Sequence, residues 1–252
     1  MGDLPHGSRR ECKYLVPDSL VPQLRSALMP FLVPDPYARN RPGTQYPVST
    51  LYLDSPTLEL YASTVRGLRN RFKLRLRRYA VGPDAPVHAE IKRRSDDTVI
   101  KSRERISARS AAAFLGGRSL DESHGPAFSE FRRLASSLHA RPVIHVRYLR
   151  EAWLSNAGDP VRVTFDTRLE MAADTAGTPR QPSDWRPIDV AGTVLEIKFN
   201  QSLPAWLAGL IREFDLQRRS VAKYVLAVGQ YPDRQQLAMT MNIARSAAAG
   251  RA

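Results

Sequence analysis

The sequence of 252 residues predicts an α+β fold built on a large, mainly antiparallel sheet. Three observations lead there. Strand-like segments outnumber helical ones, because period-two and β-rich stretches dominate the chain. The two kinds of segment show no βαβ rhythm, so a parallel sheet is not expected. Finally, pairs of charged residues at i and i+2 recur strand after strand. The clearest case is Arg71-Phe72-Lys73-Leu74-Arg75-Leu76-Arg77, in which basic and apolar residues alternate without a break. Such a strand turns Arg71, Lys73, Arg75 and Arg77 to one face and Phe72, Leu74 and Leu76 to the other. Like charges two residues apart lie roughly 6–7 Å from each other on a strand and repel. That face needs water or a polyanion opposite it.

In chain order, the strand patterns cover Arg10–Val16, Pro47–Leu53, Arg71–Tyr79, Val87–Lys92, Val99–Ile106, Val143–Trp153, Val161–Leu169 and Thr193–Phe199. Helical spacing falls between them. Asp18–Leu32 repeats Leu20, Leu24, Leu28 and Phe31, with Pro30 as its expected end. Ser55–Val65 opens on Ser-Pro, and Ser107–Leu115 opens on Ser107 as an expected N-cap. Ala127–His139 aligns Phe128, Phe131, Leu134 and Leu138, and Pro204–Phe214 aligns Trp206, Leu207, Leu210, Ile211 and Phe214. Ser220–Val228 is a shorter candidate. Asp35–Gln45 and Ala172–Pro187 read as irregular loops. Residues 1–232 are expected to form a single domain, with 233–252 as a flexible tail.

The 38 basic residues exceed the 25 acidic ones, for a net charge of +13, and this attracts polyanions without saying anything about fold. Cys12 is the sole cysteine, which excludes an intrachain disulfide and a multi-cysteine zinc site. No apolar run approaches the about 18 residues of a transmembrane helix, and the first residues lack a signal-peptide pattern, so a cytoplasmic protein without a transmembrane segment is expected. Phosphate-binding Gly-rich loops and kinase signatures are absent, and the five histidines are scattered without metal spacing.

The charged pairs decide the functional reading. Glu11 and Lys13 flank Cys12, Glu90 and Lys92 flank Ile91, Lys101 and Arg103 flank Ser102, and Glu196 and Lys198 flank Ile197. A one-sided sheet turning these charges to water is the bland account of any single strand. The alternative is closure, in which charges line the inside of a barrel and helices cover its apolar outside. Buried cations in such a lumen need hydration or an anion. Glu11, Glu90 and Glu196 then either pair with neighbouring cations or help to bind a divalent metal, Glu196 being the preferred ligand.

Taken in order, several segments resemble the polyphosphate polymerase domain of the vacuolar transporter chaperone (VTC) family, within the triphosphate tunnel metalloenzymes. They are Arg10-Glu11-Cys12-Lys13-Tyr14-Leu15-Val16, Val48-Ser49-Thr50-Leu51-Tyr52-Leu53-Asp54, Lys73-Leu74-Arg75-Leu76-Arg77-Arg78-Tyr79 and Glu90-Ile91-Lys92. They continue through Lys101-Ser102-Arg103, Tyr148-Leu149-Arg150-Glu151-Ala152, Val161-Arg162-Val163-Thr164-Phe165-Asp166, Leu195-Glu196-Ile197-Lys198-Phe199 and Ser220-Val221-Ala222-Lys223-Tyr224. The related CYTH branch opens with Glu-x-Glu-x-Lys. Here Arg9 stands at the first Glu position before Glu11 and Lys13, which favours the VTC reading.

The resemblance implies a closed antiparallel β-tunnel of about eight strands with a polar, basic lumen and helices packed outside. It implies an ATP:polyphosphate phosphotransferase that uses Mn²⁺ or Mg²⁺ to extend inorganic polyphosphate. By position, Lys13, Arg75, Arg77, Lys92, Lys101, Arg103, Arg150, Arg162, Lys198 and Lys223 would hold phosphates. Arg75, Arg77, Lys198 and Glu196 would form the catalytic set. Glu196 would bind the metal, with Glu11 and Glu90 as possible additional ligands. The expected partners are ATP and inorganic polyphosphate. Hydrolysis of inorganic or organic triphosphate in the same tunnel is the first alternative. A non-enzymatic polyanion- or nucleic-acid-binding module is the second. Nucleic acid is not the expected partner, because no aromatic is interleaved on the basic face for base stacking.

Overall fold

The computed structural model describes residues 9–79, 85–96, 98–119, 123–156, 158, 160–174, 182–200, 202–233 and 237. It is a mixed α+β fold. Among the described residues there are ten strands: β1 (Arg9–Val16), β2 (Leu32–Pro34), β3 (Gln45–Asp54), β4 (Arg71–Arg78), β5 (Val87–Ser95), β6 (Thr98–Ile106), β7 (Arg141–Ser155), β8 (Val161–Ala173), β9 (Arg186–Pro187) and β10 (Thr193–Asn200). The helices are α1 (Val21–Leu28), α2 (Glu59–Val65), α3 (Ala108–Leu115), α4 (Pro126–Ser137), α5 (Ala205–Glu213) and α6 (Lys223–Gln230). All eight expected strands form, and the short β2 and β9 are additions to them. The expected tail lies almost wholly outside the described residues. No helix among the described residues is long and apolar enough to cross a membrane.

The hydrogen-bonded strand order is β1-β10-β8-β7-β3-β4-β5-β6, with β2 on β7 and β9 on β8. Every register given for these pairs is antiparallel. The path has two ends, so strand pairing among the described residues does not provide the expected closure. One end has a physical reason: the outer edge of β1 is taken by another segment. Arg218 bridges Tyr14 there, and the Arg219 amide donates to the Lys13 carbonyl at 2.8 Å.

The chain divides into two compact units. The first comprises Met1–Pro47, Tyr148–Leu169 and Asp189–Ala222, and the second Val48–Arg147, Glu170–Ile188 and Lys223–Ala252. In the first unit, Tyr14, Val16, Val161, Val163, Phe165, Leu195, Ile197 and Phe199 form the apolar side of the sheet. Val21, Leu24 and Leu28 of α1 and Leu207 of α5 pack on it. Gly192 lets β10 start against the end of β1, since its φ is 110° and a Cβ would stand 2.1 Å from the Val16 carbonyl oxygen. In the second unit, Leu51, Leu53, Leu74, Leu76, Ala89 and Ile91 form the apolar side. Ala111 of α3 and Phe128, Phe131 and Ala135 of α4 cover it. Helices therefore cover the apolar side of the sheet in each unit, as the alternation predicts.

Helix boundaries depart from the sequence expectation where polar groups intervene. Ser107 caps α3 as expected, accepting the Ser110 amide at 2.9 Å. The helix expected from Asp18 to Leu32 yields α1 and then a 3₁₀ turn over Met29–Phe31 that accommodates Pro30. The helix expected from Ser55 begins only at Glu59, after Leu58 turns left-handed at φ 57°. The Asp54 carboxylate takes over the capping, accepting the amides of Leu60 at 2.9 Å and Tyr61 at 2.8 Å.

Candidate functional site

Residues directly opposite on antiparallel strands share a face, so register decides which charges meet. In the second unit, Tyr52, Arg75, Glu90 and Arg103 form one cross-strand row over β3, β4, β5 and β6. Thr50, Arg77, His88 and Arg105 form the next, and Lys73, Lys92 and Lys101 a third. This face thus carries seven cations (Lys73, Arg75, Arg77, Lys92, Lys101, Arg103, Arg105) and one carboxylate in its rows. Five of the seven are expected phosphate-binding residues. Lys73 and Arg105 lie outside that set, although period two from Arg75 and Arg103 points to both.

Glu90 organises the centre of this face. It is fully buried and lies 2.6 Å from Arg75 Nη2, 2.7 Å from Lys101 Nζ and 3.9 Å from Arg77 Nη1. Arg77 also donates from Nε to the Thr50 hydroxyl at 3.1 Å. Burial alone would raise the Glu90 pKa, but the charges of Arg75, Arg77 and Lys101 hold it well below the usual carboxylate range. Burial lowers the pKa of Lys101 despite Glu90 beside it. Burial pushes the Tyr79 phenol up, yet Arg77, Lys101 and Arg75 outweigh it and leave its pKa below the ordinary value. Three cations around Glu90 repel a divalent ion, so its surroundings suit an anchor for arginines better than a metal ligand. Lys223, also expected to bind phosphate, opens α6 in this unit.

The first unit gathers the remaining candidates on the charged side of its sheet. Glu11, Lys198 and Arg162 form one row, and Lys13, Glu196 and Thr164 the next, across β1, β10 and β8. Here cations and carboxylates match one to one. Lys13 lies 2.6 Å from Glu11, Lys198 2.5 Å from Glu196, and Arg162 3.0 Å from Asp35. Arg150 makes a two-pronged contact with Asp166, Nε at 2.6 Å and Nη2 at 2.7 Å. Arg162 also donates to the Tyr46 hydroxyl at 3.2 Å. Arg150 and Arg162 were expected to serve phosphate directly, and the structure gives both a buried carboxylate partner. Asp35 carries no sequence signal because it sits in a segment that reads as an irregular loop, while Asp166 belongs to the β8 alternation.

A hard divalent cation takes oxygen ligands, and this unit offers carboxylates and a hydroxyl in adjacent rows. Glu196 and Glu11 both approach Lys198, at 2.5 and 3.9 Å. Thr164, opposite Glu196, has a buried hydroxyl with no hydrogen-bond partner among the described residues. These oxygens fit a cation that draws its other ligands from phosphate. A group of three or more His, Cys, Asp or Glu side chains able to hold a metal by themselves does not occur among the described residues.

An antiparallel sheet with apolar helices on one side and ordered rows of charge on the other is the arrangement expected of the triphosphate tunnel class. The VTC domain family model matches residues 8–231, and the chain belongs to that family. No curated protein sequence matches it. Among solved structures, a putative adenylate cyclase from Bacillus halodurans superposes with a TM-score of 0.52 at 12% identity, covering 90% of this chain and 97% of its own. The PH1819 protein from Pyrococcus horikoshii gives a TM-score of 0.48 at 14% identity, covering 88% of this chain and 99% of its own. At such identity the first of these is a likeness of fold.

Proposed function

We propose that this chain is a metal-dependent polyphosphate polymerase, transferring the γ-phosphoryl group of ATP to the end of a growing inorganic polyphosphate chain. The observation that carries the reading is the Glu90 cluster. Arg75, Arg77 and Lys101 surround a single carboxylate, on a face whose rows add four further cations. An excess of ordered positive charge is what phosphoryl transfer needs, because its transition state is loose and anionic and catalysis is mostly positioning and charge stabilisation. VTC family membership supports the same substrate class.

In this reading a terminal oxygen of polyphosphate attacks the γ-phosphorus. The bond from that phosphorus to the β–γ bridging oxygen breaks, and its electrons leave with ADP. The attacking oxygen is already ionised at neutral pH, so no protein base is required. Arg75 and Arg77, held in place by Glu90 and Thr50, clamp phosphate oxygens, with Lys92, Lys101, Arg103 and Lys223 as further contacts. In the first unit, Lys13, Arg150, Arg162 and Lys198 bind phosphate, with Arg150 and Arg162 oriented by Asp166 and Asp35. Glu196 would hold Mn²⁺ or Mg²⁺, assisted by Glu11. When bound, the cation would neutralise phosphate charge and orient the scissile bond.

Incubation of the purified protein with ATP and Mn²⁺ or Mg²⁺, with products resolved on a gel, tests the proposal. A long polymer made by wild type and lost in Arg75→Ala and Glu196→Gln supports it. Free phosphate alone assigns the chain to triphosphate hydrolysis. Metal-independent, salt-sensitive RNA binding without turnover assigns it to the binding-module reading.

A further inference from the structure

On the helix side of the second unit's sheet, opposite its basic face, lies a cavity of about 490 Å³. Four arginines line it: Arg118 after α3, Arg132 and Arg133 on α4, and Arg141 at the start of β7. The same cavity has an apolar part that includes Phe114 and Leu115 at the end of α3. Among the described residues, its lining contains no carboxylate.

All four arginines are exposed, whereas several buried or half-buried arginines elsewhere are matched with acids. Arg25 pairs with Glu151, Arg75 with Glu90, Arg93 with Glu130, Arg147 with Glu170, Arg150 with Asp166 and Arg162 with Asp35. Among the described residues, no carboxylate pairs with any of the four cavity arginines. Arg132 and Arg133 stand three and four residues after Ser129, which also lines the cavity, so α4 turns one face into it. Four like charges around one cavity repel each other, and a bound polyanion would remove that repulsion. Guanidinium groups are planar donors matched to phosphate oxygens, and the volume lies within the range of small-molecule sites.

We propose that this cavity is a second binding site, for a small organic phosphate carrying more than one phosphoryl group. The arginines hold the phosphates, and Phe114 and Leu115 contact the organic portion. Within the second unit the site lies on the side of the sheet opposite Arg75 and Arg77, and the inference does not rest on the polymerase reading.

The test measures binding to the full chain by calorimetry, without added metal, using ATP and inorganic tripolyphosphate as probes. It is run in an Arg75→Ala/Arg77→Ala background, which removes two of the phosphate contacts proposed for transfer. Binding of ATP should persist there and be tighter than that of tripolyphosphate. Adding Arg132→Gln and Arg133→Gln should weaken it by about tenfold or more, the order expected for losing charge-assisted contacts. Ser136→Trp, which places bulk in the cavity from an exposed position, should do the same. Circular dichroism checks that each variant is folded. The proposal is overturned if no ATP binds in the Arg75/Arg77 background. It is equally overturned if folded Arg132/Arg133 and Ser136 variants bind ATP as tightly as that background, or if tripolyphosphate binds as tightly as ATP. Absence of polymer synthesis would count against the transfer reaction alone and leave these binding outcomes standing.

Discussion

Arg75 grips a single oxygen of Glu90 twice, with Nη2 at 2.6 Å and Nε at 2.7 Å, while Lys101 takes the other carboxylate oxygen at 2.7 Å. The register that sets Arg75 directly opposite Glu90 makes this possible. The carboxylate is both the counter-charge that lets the arginines exist on a partly buried face and the brace that aims them.

Glu90→Gln should therefore destabilise the fold by about 3–5 kcal/mol, the usual cost of removing one partner from a buried ionic cluster. Its pH dependence has a definite sign. The folded pKa is depressed, so the stabilisation is complete above the unfolded carboxylate value of about 4.3 and is lost as pH falls from there through the folded pKa. Denaturant midpoints of wild type and variant should differ by a constant amount at neutral pH and converge in acid. Parallel curves down to the lowest pH at which both remain folded would contradict the assignment.

Arg75→Ala leaves Lys101 and Arg77 beside Glu90, so its structural cost should be smaller than that of Glu90→Gln. Its effect on polymer synthesis should be large, a loss of about 10²-fold or more in rate, as for removal of one preorganised charge-stabilising donor. Activity measured beside a thermal unfolding curve separates the two effects. A rate loss no larger than the loss of folded protein would assign Arg75 to structure only.

Arg150 and Asp166 form a buried, two-pronged pair. Asp166→Ala should cost about 3–5 kcal/mol because it strands the guanidinium, whereas the double change Arg150→Met/Asp166→Leu should recover much of that stability. The double variant should still lose polymer synthesis, since the proposal has Arg150 bind phosphate. Recovery of stability together with full activity would remove Arg150 from the phosphate contacts.

Thr164 carries a buried hydroxyl without a hydrogen-bond partner among the described residues. Thr164→Val should leave stability unchanged or raise it by about 1 kcal/mol, since it removes an unsatisfied polar group at nearly constant volume. If that hydroxyl helps hold a cation beside Glu196, the same variant should need more Mn²⁺ for half-maximal protection against heat in the presence of ATP. An unchanged metal requirement would make the hydroxyl a bystander.

The Tyr224 hydroxyl donates to Asp54 at 2.6 Å, on a carboxylate that also caps α2. Tyr224→Phe should cost about 1.5–3 kcal/mol, the range for a hydrogen bond to a charged group. A denaturant titration at neutral pH measures it, and a loss below about 0.5 kcal/mol would show that the bond contributes little net stability.

Much of the fold was legible because alternation is local. Leu74 and Leu76 pack under α3 and α4, while Lys73, Arg75 and Arg77 share the opposite face, as period two requires. Helix starts were less legible where a distant or preceding side chain supplies the cap. Asp54, for instance, moves the start of α2 to Glu59. The candidate site was legible as a set of residue types and opaque as a set of partnerships. Nothing in the spacing indicates that Asp35, 127 residues away from Arg162, would be its partner.

By itself, then, the sequence determined the α+β class, the two-sided strands and the excess of cations on β4 to β6, because each depends on side chains a few residues apart. Tertiary structure decided what those charges do. Strand register gathered the cations of β4, β5 and β6 around one buried carboxylate in the second unit, and matched Arg150 and Arg162 to acids in the first. Register is a long-range property, fixed by packing across strands, and a period-two pattern read along the chain does not contain it.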